Sequence, residues 1–166
     1  MNPNNVENNR ITIESVAIAT AKLICEKQPL SVTAICKRAG VSRNAYYRNF
    51  ESIDDVLIYY VALRWAEYSA VHNVDKLPME QIGKHLLRFF YEQRNFVRAL
   101  KERGQDYIIE KLFVNICVPK EIDDGMRYYL YGICYFVYGF IRAMIDNNFA
   151  DSPEKIEEIT STVNSI

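Results

Sequence analysis

The sequence predicts an all-α protein in which a small N-terminal three-helix domain precedes a larger helical body. Apolar residues recur at steps of three and four along most of the chain, which is the period of an amphipathic helix. Helix breakers are few, since the 166 residues include six Gly and five Pro. The length suits one domain, or a small module on a helical body, and 49% hydrophobic residues suffice for a core.

The first predicted helix follows a polar N-terminal tail. Residues 1–10 contain no apolar segment, so we expect a disordered tail there and no secretory signal. From Ile11 to Lys27 the apolar positions have helical spacing, which predicts an amphipathic helix. Gln28 and Pro29 end this helix.

Two short helices joined by a tight turn are predicted next. Ser31 offers an N-cap hydroxyl to a helix that runs to about Arg38, and Ser42 offers one to a helix that ends near Asn49. Between them lies Ala39-Gly40-Val41, with Gly where a helix commonly stops. Two helices of about two turns each, joined by such a turn, are typical of a helix-turn-helix unit.

Positive charge is concentrated on this pair of helices. Between Ser31 and Phe50 the local charge is +4, while the whole chain carries −1 and the remainder carries −5. The basic residues are Lys37, Arg38, Arg43 and Arg48. Attraction to nucleic acid would therefore come from this module and not from the field of the whole chain. The alternative interpretation is a solvated basic hairpin with no partner.

These residues carry a family resemblance. The stretch from Ser31 to Ser42, SVTAICKRAGVS, followed by Tyr47-Arg48-Asn49-Phe50, resembles the DNA-binding module of the tetracycline-repressor (TetR) family. The resemblance covers about residues 11 to 60. It implies a DNA-binding head on an all-helical body, acting as a homodimer whose two recognition helices enter successive major grooves.

The resemblance also implies which residues contact double-stranded DNA. Those nearest the bases would be Ser42, Arg43, Asn44, Ala45 and Tyr46. Those closer to the phosphate backbone would be Tyr47, Arg48 and Asn49, together with Thr33 on the preceding helix.

Two positions depart from the family pattern. Ala45 stands where the family often has Thr, which leaves at most an apolar contact to a thymine methyl group. Ile53 stands where a Lys commonly holds a phosphate. Both changes predict weaker or differently distributed anchoring on the DNA backbone, for which Arg43 and Arg48 would compensate.

Beyond Ile53 the spacing of apolar residues predicts further helices. They cover about residues 54–72, 79–94, 96–101, 107–115, 121–147 and 151–162, with Gly104 and Pro119 as separators. The first of them should connect the head to the body. We therefore expect a DNA-binding domain over residues 11–53 and a regulatory and dimerisation domain over residues 54–166.

The longest predicted helix carries a candidate dimer seam. Its members are spaced by four, three and four residues, and they are Gly132, Phe136, Gly139 and Ala143. Small side chains here would let a second helix approach closely, and apolar residues surround most of this helix, which predicts burial on two sides. The stretch from Tyr138 to Glu154 is similar to the C-terminal domains of a Firmicutes-type TetR subgroup. In the family, the last two helices of each subunit form a four-helix bundle.

Many members of the family bind an effector in a cavity of the body, which shifts an equilibrium between two conformations. The aromatic residues that are candidates for such a cavity here are Tyr91, Tyr107, Phe113 and Tyr135. The alternative is that these side chains only fill the core. No ligand class is indicated by the sequence.

Other classes of protein find little support. His72 and His85 are thirteen residues apart, not at the spacing that places two metal ligands on one helix face. The cysteines, Cys25, Cys36, Cys117 and Cys134, form no C-x-x-C pair, so we expect buried free thiols. No catalytic or phosphate-binding motif is present, no cofactor is implied, and the longest uncharged run has 14 residues, too short for a membrane span.

The sequence therefore predicts a cytoplasmic homodimeric repressor that binds a palindromic operator, with a small-molecule effector as a further expectation. An activator of the same fold is one alternative. A helix-bundle interaction protein that has lost specific DNA binding is another, and an enzyme has the least support.

Overall fold

The computed structural model of the chain describes residues 3–118 and 121–163, and within these ranges it contains nine α-helices and no β-strand. The all-α prediction is confirmed. The helices are α1 (Pro3–Cys25), α2 (Val32–Ala39), α3 (Arg43–Tyr47), α4 (Ile53–His72), α5 (Met79–Glu92), α6 (Arg94–Glu102), α7 (Tyr107–Cys117), α8 (Asp124–Asp146) and α9 (Pro153–Val163). A single 3-10 turn, Val74–Lys76, lies between α4 and α5. The predicted separator Pro119 lies outside the described residues.

The chain forms two compact units, residues 1–64 and residues 65–166. The division falls inside α4, whereas the sequence placed a boundary between residues 53 and 54. The first three turns of α4, up to Arg64, therefore belong to the first unit, where Val56 and Leu57 are fully buried.

The first helix begins at Pro3, eight residues before the predicted start. Residues 3–10 are therefore helical, and the expectation of a disordered tail over residues 1–10 does not hold for them. Arg10 explains this difference in part, because its guanidinium binds Glu7 on one side (2.6 Å) and Glu14 on the other (2.9 Å). Such i,i+3 and i,i+4 ion pairs stabilise a helix made of polar residues. Proline is also well tolerated at the first helical position.

The first unit is held together by one apolar cluster to which α1, α2, α3 and the start of α4 all contribute. Its buried members are Val16, Ala17, Leu23, Ile35, Cys36, Tyr46, Phe50 and Val56. Because Tyr46 and Phe50 lie on and directly after the short α3, this cluster fixes the position of α3 on the other helices.

The second unit is built around α8, which packs against α5, α6 and α7, while α9 packs against α5. Its core residues include Phe89, Leu100, Ile108, Ile141 and Ile145, each nearly or fully buried. Arg142 of α8 ties the helix to the loop before α7, because its Nη1 lies 2.7 Å from a carboxylate oxygen of Asp106. These contacts position the walls of the cavity described below.

Two further expectations concern cysteines and membranes. Cys36 and Cys134 are buried free thiols as predicted, whereas Cys25 is exposed at the end of α1, which corrects the prediction for that residue. The side chain of Cys117 lies outside the described residues. Over the ranges that the structure covers, no helix is both long enough and apolar enough to cross a bilayer.

Candidate functional site

Two side-chain caps and one glycine fix the turn between α2 and α3. The Ser31 hydroxyl accepts a hydrogen bond from the Ala34 backbone N–H (3.2 Å), and the Ser42 hydroxyl accepts one from the Ala45 N–H (3.1 Å). Gly40 ends α2 in the left-handed region with φ = 69°, where its N–H binds the Cys36 carbonyl. Only Gly adopts this conformation without strain, so the turn follows directly from the local sequence.

Most of the predicted DNA-contacting side chains are exposed, in the turn, on α3 or directly after it, and on α2 in the case of Thr33. The exposed members are Thr33, Ser42, Arg43, Asn44, Tyr47 and Arg48. Tyr47 is 52% exposed although aromatic, and the Arg43 guanidinium carbon lies 5.9 Å from the centre of its ring. The exposed face therefore offers cationic, amide, hydroxyl and phenol groups side by side.

The basic residues in this region do not all remain available to a partner. Both terminal nitrogens of Arg38 lie 2.6 Å from the carboxylate oxygens of Glu26, near the end of α1. This hydrogen bonding lowers the pKa of Glu26, so the pair stays charged and mutually neutralised. Among the described residues, no carboxylate forms an ion pair with Lys37, Arg43 or Arg48. Three of the four cations are therefore not held in an ion pair within the described part of the chain.

The prediction places Tyr46 near the bases of DNA, whereas the structure buries its side chain. Its side chain has no exposed surface, and its ring packs on Phe50 with the ring centres 5.8 Å apart. Burial raises the pKa of the phenol to about 12, and the hydroxyl oxygen has no hydrogen-bond partner. The residue belongs to the core, four positions before Phe50 on the same side of the chain, and this i,i+4 spacing was the sequence signal for it.

Two other members of the predicted set are only partly accessible. Ala45 is half-buried, and the Asn49 side-chain amide donates a hydrogen bond to the Ala45 carbonyl (2.8 Å). Ile53, which departs from the family pattern, packs against the apolar cluster of the first unit. The chain therefore uses position 53 for core packing.

Replacing Tyr46 with Phe is expected to raise the free energy of unfolding by about 1 kcal/mol and to leave the predicted binding to DNA unchanged. The buried hydroxyl without a partner costs about 1–3 kcal/mol of desolvation free energy, which Phe does not incur. Imperfect repacking offsets part of this gain. Urea denaturation measures the first effect and fluorescence anisotropy with DNA the second. A clear loss of DNA affinity in a stably folded variant would return Tyr46 to the contacting surface.

No protein-family model, curated protein or solved structure matches this chain. The geometry and chemistry of its own residues must therefore support any functional assignment.

The predicted dimer seam lies on the exposed side of α8. Gly132, Phe136, Gly139 and Ala143 are all exposed, and Phe136 leaves 52% of its surface uncovered. A Cβ atom built on Gly132 or Gly139 would meet nothing within 4 Å. The sequence places no charged residue between Arg127 and Arg142, so this face is a continuous uncharged surface.

The second unit contains a cavity of about 390 Å³. It is lined by Trp65, Ser69, Val74, Asp75, Ile82, Leu86, Phe89, Phe90, Leu112, Phe113, Leu130, Ile133 and Cys134. These residues come from α4, the 3-10 turn, α5, α7 and α8. The volume lies within the usual range of small-molecule sites.

Of the four aromatic residues predicted to line a cavity, the structure places one, Phe113, in its wall. Tyr91 instead faces the Arg94 guanidinium, 4.7 Å from its ring centre, and Tyr107 is exposed. Tyr135 donates a hydrogen bond from its hydroxyl to Glu110 (3.0 Å) on the surface. Sequence analysis missed the main aromatic lining residues, Trp65, Phe89 and Phe90, because helical spacing indicates burial but not a cavity.

His72 and His85 are brought together by the fold although they are distant in sequence. Their ring centres lie 5.8 Å apart, and the Tyr68 hydroxyl lies 3.1 Å from Nδ1 of His85. In the part of the chain that the structure describes, no group of three or more His, Cys, Asp or Glu residues could hold a metal ion. Burial, and then the nearby His72, lower the pKa of His85.

This lowered pKa predicts that acid weakens the fold. Around the ordinary histidine pKa of about 6.5, the unfolded chain binds more protons at His85 than the folded chain, so stability falls as pH drops below about 7. His85→Gln keeps a hydrogen-bonding partner for Tyr68 and should reduce the loss of stability between about pH 7.5 and pH 5.5. Urea denaturation at the two pH values measures this.

A variant of the neighbouring His72 is the control for this experiment. Arg88 lowers the pKa of His85 further, and Glu157 opposes the shift. Because His72 is the smaller cause of the shift, His72→Gln should give a smaller reduction than His85→Gln. An unchanged pH dependence in His85→Gln would contradict the prediction.

Proposed function

We propose that the chain is a sequence-specific DNA-binding regulator of transcription that acts as a homodimer and represses by occupying promoter DNA. The observation that carries this proposal is the capped turn between α2 and α3, flanked by the exposed side chains of Lys37, Arg43 and Arg48, with which no carboxylate among the described residues forms an ion pair. The TetR-like sequence of the same segment, with its A-G-V-S turn, supports it. The region serves as a helix-turn-helix unit in this proposal.

The side chains divide into two kinds of contact. Arg43 and Asn44, exposed at the start of α3, have the donors and acceptors that read base edges in the major groove. Thr33, Tyr47 and Arg48 are also exposed, and in this proposal they hold the phosphate backbone, which supplies affinity that depends on salt but carries no sequence information. Discrimination between operators therefore rests on few side chains.

The proposed dimer forms through the uncharged face of α8. A two-fold interface uses the same patch on both subunits, and a stripe of Gly, Phe, Gly and Ala allows close approach of two copies of α8. Two-fold symmetry then predicts a pseudo-palindromic operator whose half-sites are centred about one helical turn, or a multiple of it, apart.

The cavity of the second unit is the proposed effector site. A ligand regulates DNA binding only if it binds the two conformations of the protein with different affinity. The cavity has the size and apolar lining of a small-molecule site, which supports this role.

In-vitro selection from random duplex DNA tests the proposal. The selected duplex and a scrambled duplex are then compared by fluorescence anisotropy across a salt series. We expect a palindromic winner bound at least about a thousandfold more tightly than the scrambled duplex. Equal and steeply salt-dependent binding to both would overturn the proposal, and it would favour an interaction protein that has lost specific DNA binding.

A further inference from the structure

The cavity of the second unit has an aromatic wall. The rings of Trp65 and Phe89 meet edge to face with centres 5.3 Å apart, and those of Phe89 and Phe90 meet in the same way at 5.1 Å. Phe90 stacks on Phe113 at 5.6 Å. Aromatic faces are electron-rich and attract a cation held within about 6 Å of the ring centre.

The charge of the lining has one sign. Asp75 is the carboxylate among the described lining residues, and none of these residues is Lys, Arg or His. Asp75 lies in the 3-10 turn next to Val74, which is buried in the core. The ammonium group of the neighbouring Lys76 donates a hydrogen bond to the side-chain oxygen of Asn73 (3.2 Å).

These features discriminate between ligands by charge. An anion that enters the cavity loses its hydration and meets a carboxylate with no lining cation, so its transfer is costly. A neutral ligand gains only apolar burial. A cation gains apolar burial, the attraction of the neighbouring aromatic rings and the Asp75 carboxylate together.

We infer that the cavity binds a lipophilic cation, with an apolar, partly aromatic body against Phe89, Phe90 and Phe113 and one positive charge towards Asp75. The volume corresponds to roughly thirteen water molecules of liquid, so the ligand is a compact molecule and not a long acyl chain. This inference rests on the proposed effector role of the cavity, and it names the chemical class of the effector.

Three probes of equal size test the inference: para-biphenylmethyl-trimethylammonium, its neutral carbon isostere para-neopentylbiphenyl, and the anion biphenylpropionate. Trp65 is the single tryptophan of the chain and lines the cavity, so its fluorescence reports binding without a label. The titrations use the full-length chain without DNA. We expect the cation to bind at least about tenfold more tightly than either other probe.

Asp75→Asn is the matching variant, because it keeps the shape of an exposed side chain and removes its charge. It should weaken cation binding about tenfold and leave the neutral probe unchanged. Asp124→Asn, on an exposed carboxylate outside the cavity, is the control and should change neither affinity.

Several outcomes overturn the inference: equal binding of the cation and the neutral isostere, tighter binding of the anion, no binding of any probe, or an unchanged cation affinity in Asp75→Asn. Failure of the proposed function is distinguishable. Binding of the cation with no effect on operator affinity would support the inference about the cavity and overturn its role as an effector site.

Discussion

Replacing Arg43 with Ala should weaken binding to the selected operator by about 2–6 kcal/mol per dimer. A bidentate contact from Arg to a base contributes about 1–3 kcal/mol, and a symmetric operator contains two such contacts. Arg43 is exposed at the first position of α3, where it supports no core contact. Binding to a scrambled duplex should weaken much less. Anisotropy titrations with both duplexes at one salt concentration measure the difference.

Arg48→Ala is the matched control for this experiment, because Arg48 is also exposed but follows the end of α3. In the proposed contact scheme it holds a phosphate, so its loss should weaken both complexes equally and reduce their salt dependence. If Arg43→Ala behaves in the same way as Arg48→Ala, then Arg43 is a phosphate anchor and reads no base.

Gly139→Leu should shift the proposed dimer towards the monomer and raise the dimer dissociation constant at least about thirtyfold. Within one protomer the new side chain enters open space, since a Cβ at Gly139 meets nothing within 4 Å. Leu also favours the helix over Gly by about 0.5–1 kcal/mol, so the monomer should not lose stability. In a two-fold dimer, however, each subunit brings one bulky side chain into the interface, and each of the two costs about 1–3 kcal/mol. Sedimentation velocity measures the oligomeric state.

Gln81→Leu serves as its control, because it adds the same side chain to an exposed position on another helix. That variant should remain dimeric. A Gly139→Leu protein that still sediments as a dimer would show that the seam lies elsewhere on the protein.

The parts of the fold that sequence analysis predicted well depend on local chemistry. Ser31, Gly40 and Ser42 determine the turn between α2 and α3 through contacts within four residues, so their types and spacing were enough. The end of α8 was predicted to within one residue, whereas its start lies three residues after the predicted one, where the Asp123 side chain accepts a hydrogen bond from the Met126 N–H. Periodicity alone predicted that the described chain is helical.

The features that were missed depend on contacts between distant segments. The cavity joins Trp65 to Cys134, and helical spacing cannot show which apolar side chains leave a space between them. The approach of His72 to His85 likewise needs α4 and α5 to pack together. For Tyr46 and Tyr47, which are adjacent and chemically identical, exposure depends on which of the two faces Ile35 and Phe50.

The shortness of α3 determines which residues around it can change during evolution. A helix of five residues has no stability of its own, so its shape depends on the Ser42 cap and on the Tyr46 anchor. The outward side chains at positions 43, 44 and 48 are exposed and contribute little to that support. Mutation can therefore exchange them at small cost to folding, and under the proposed function a lineage can acquire a new operator while the helices beneath stay the same.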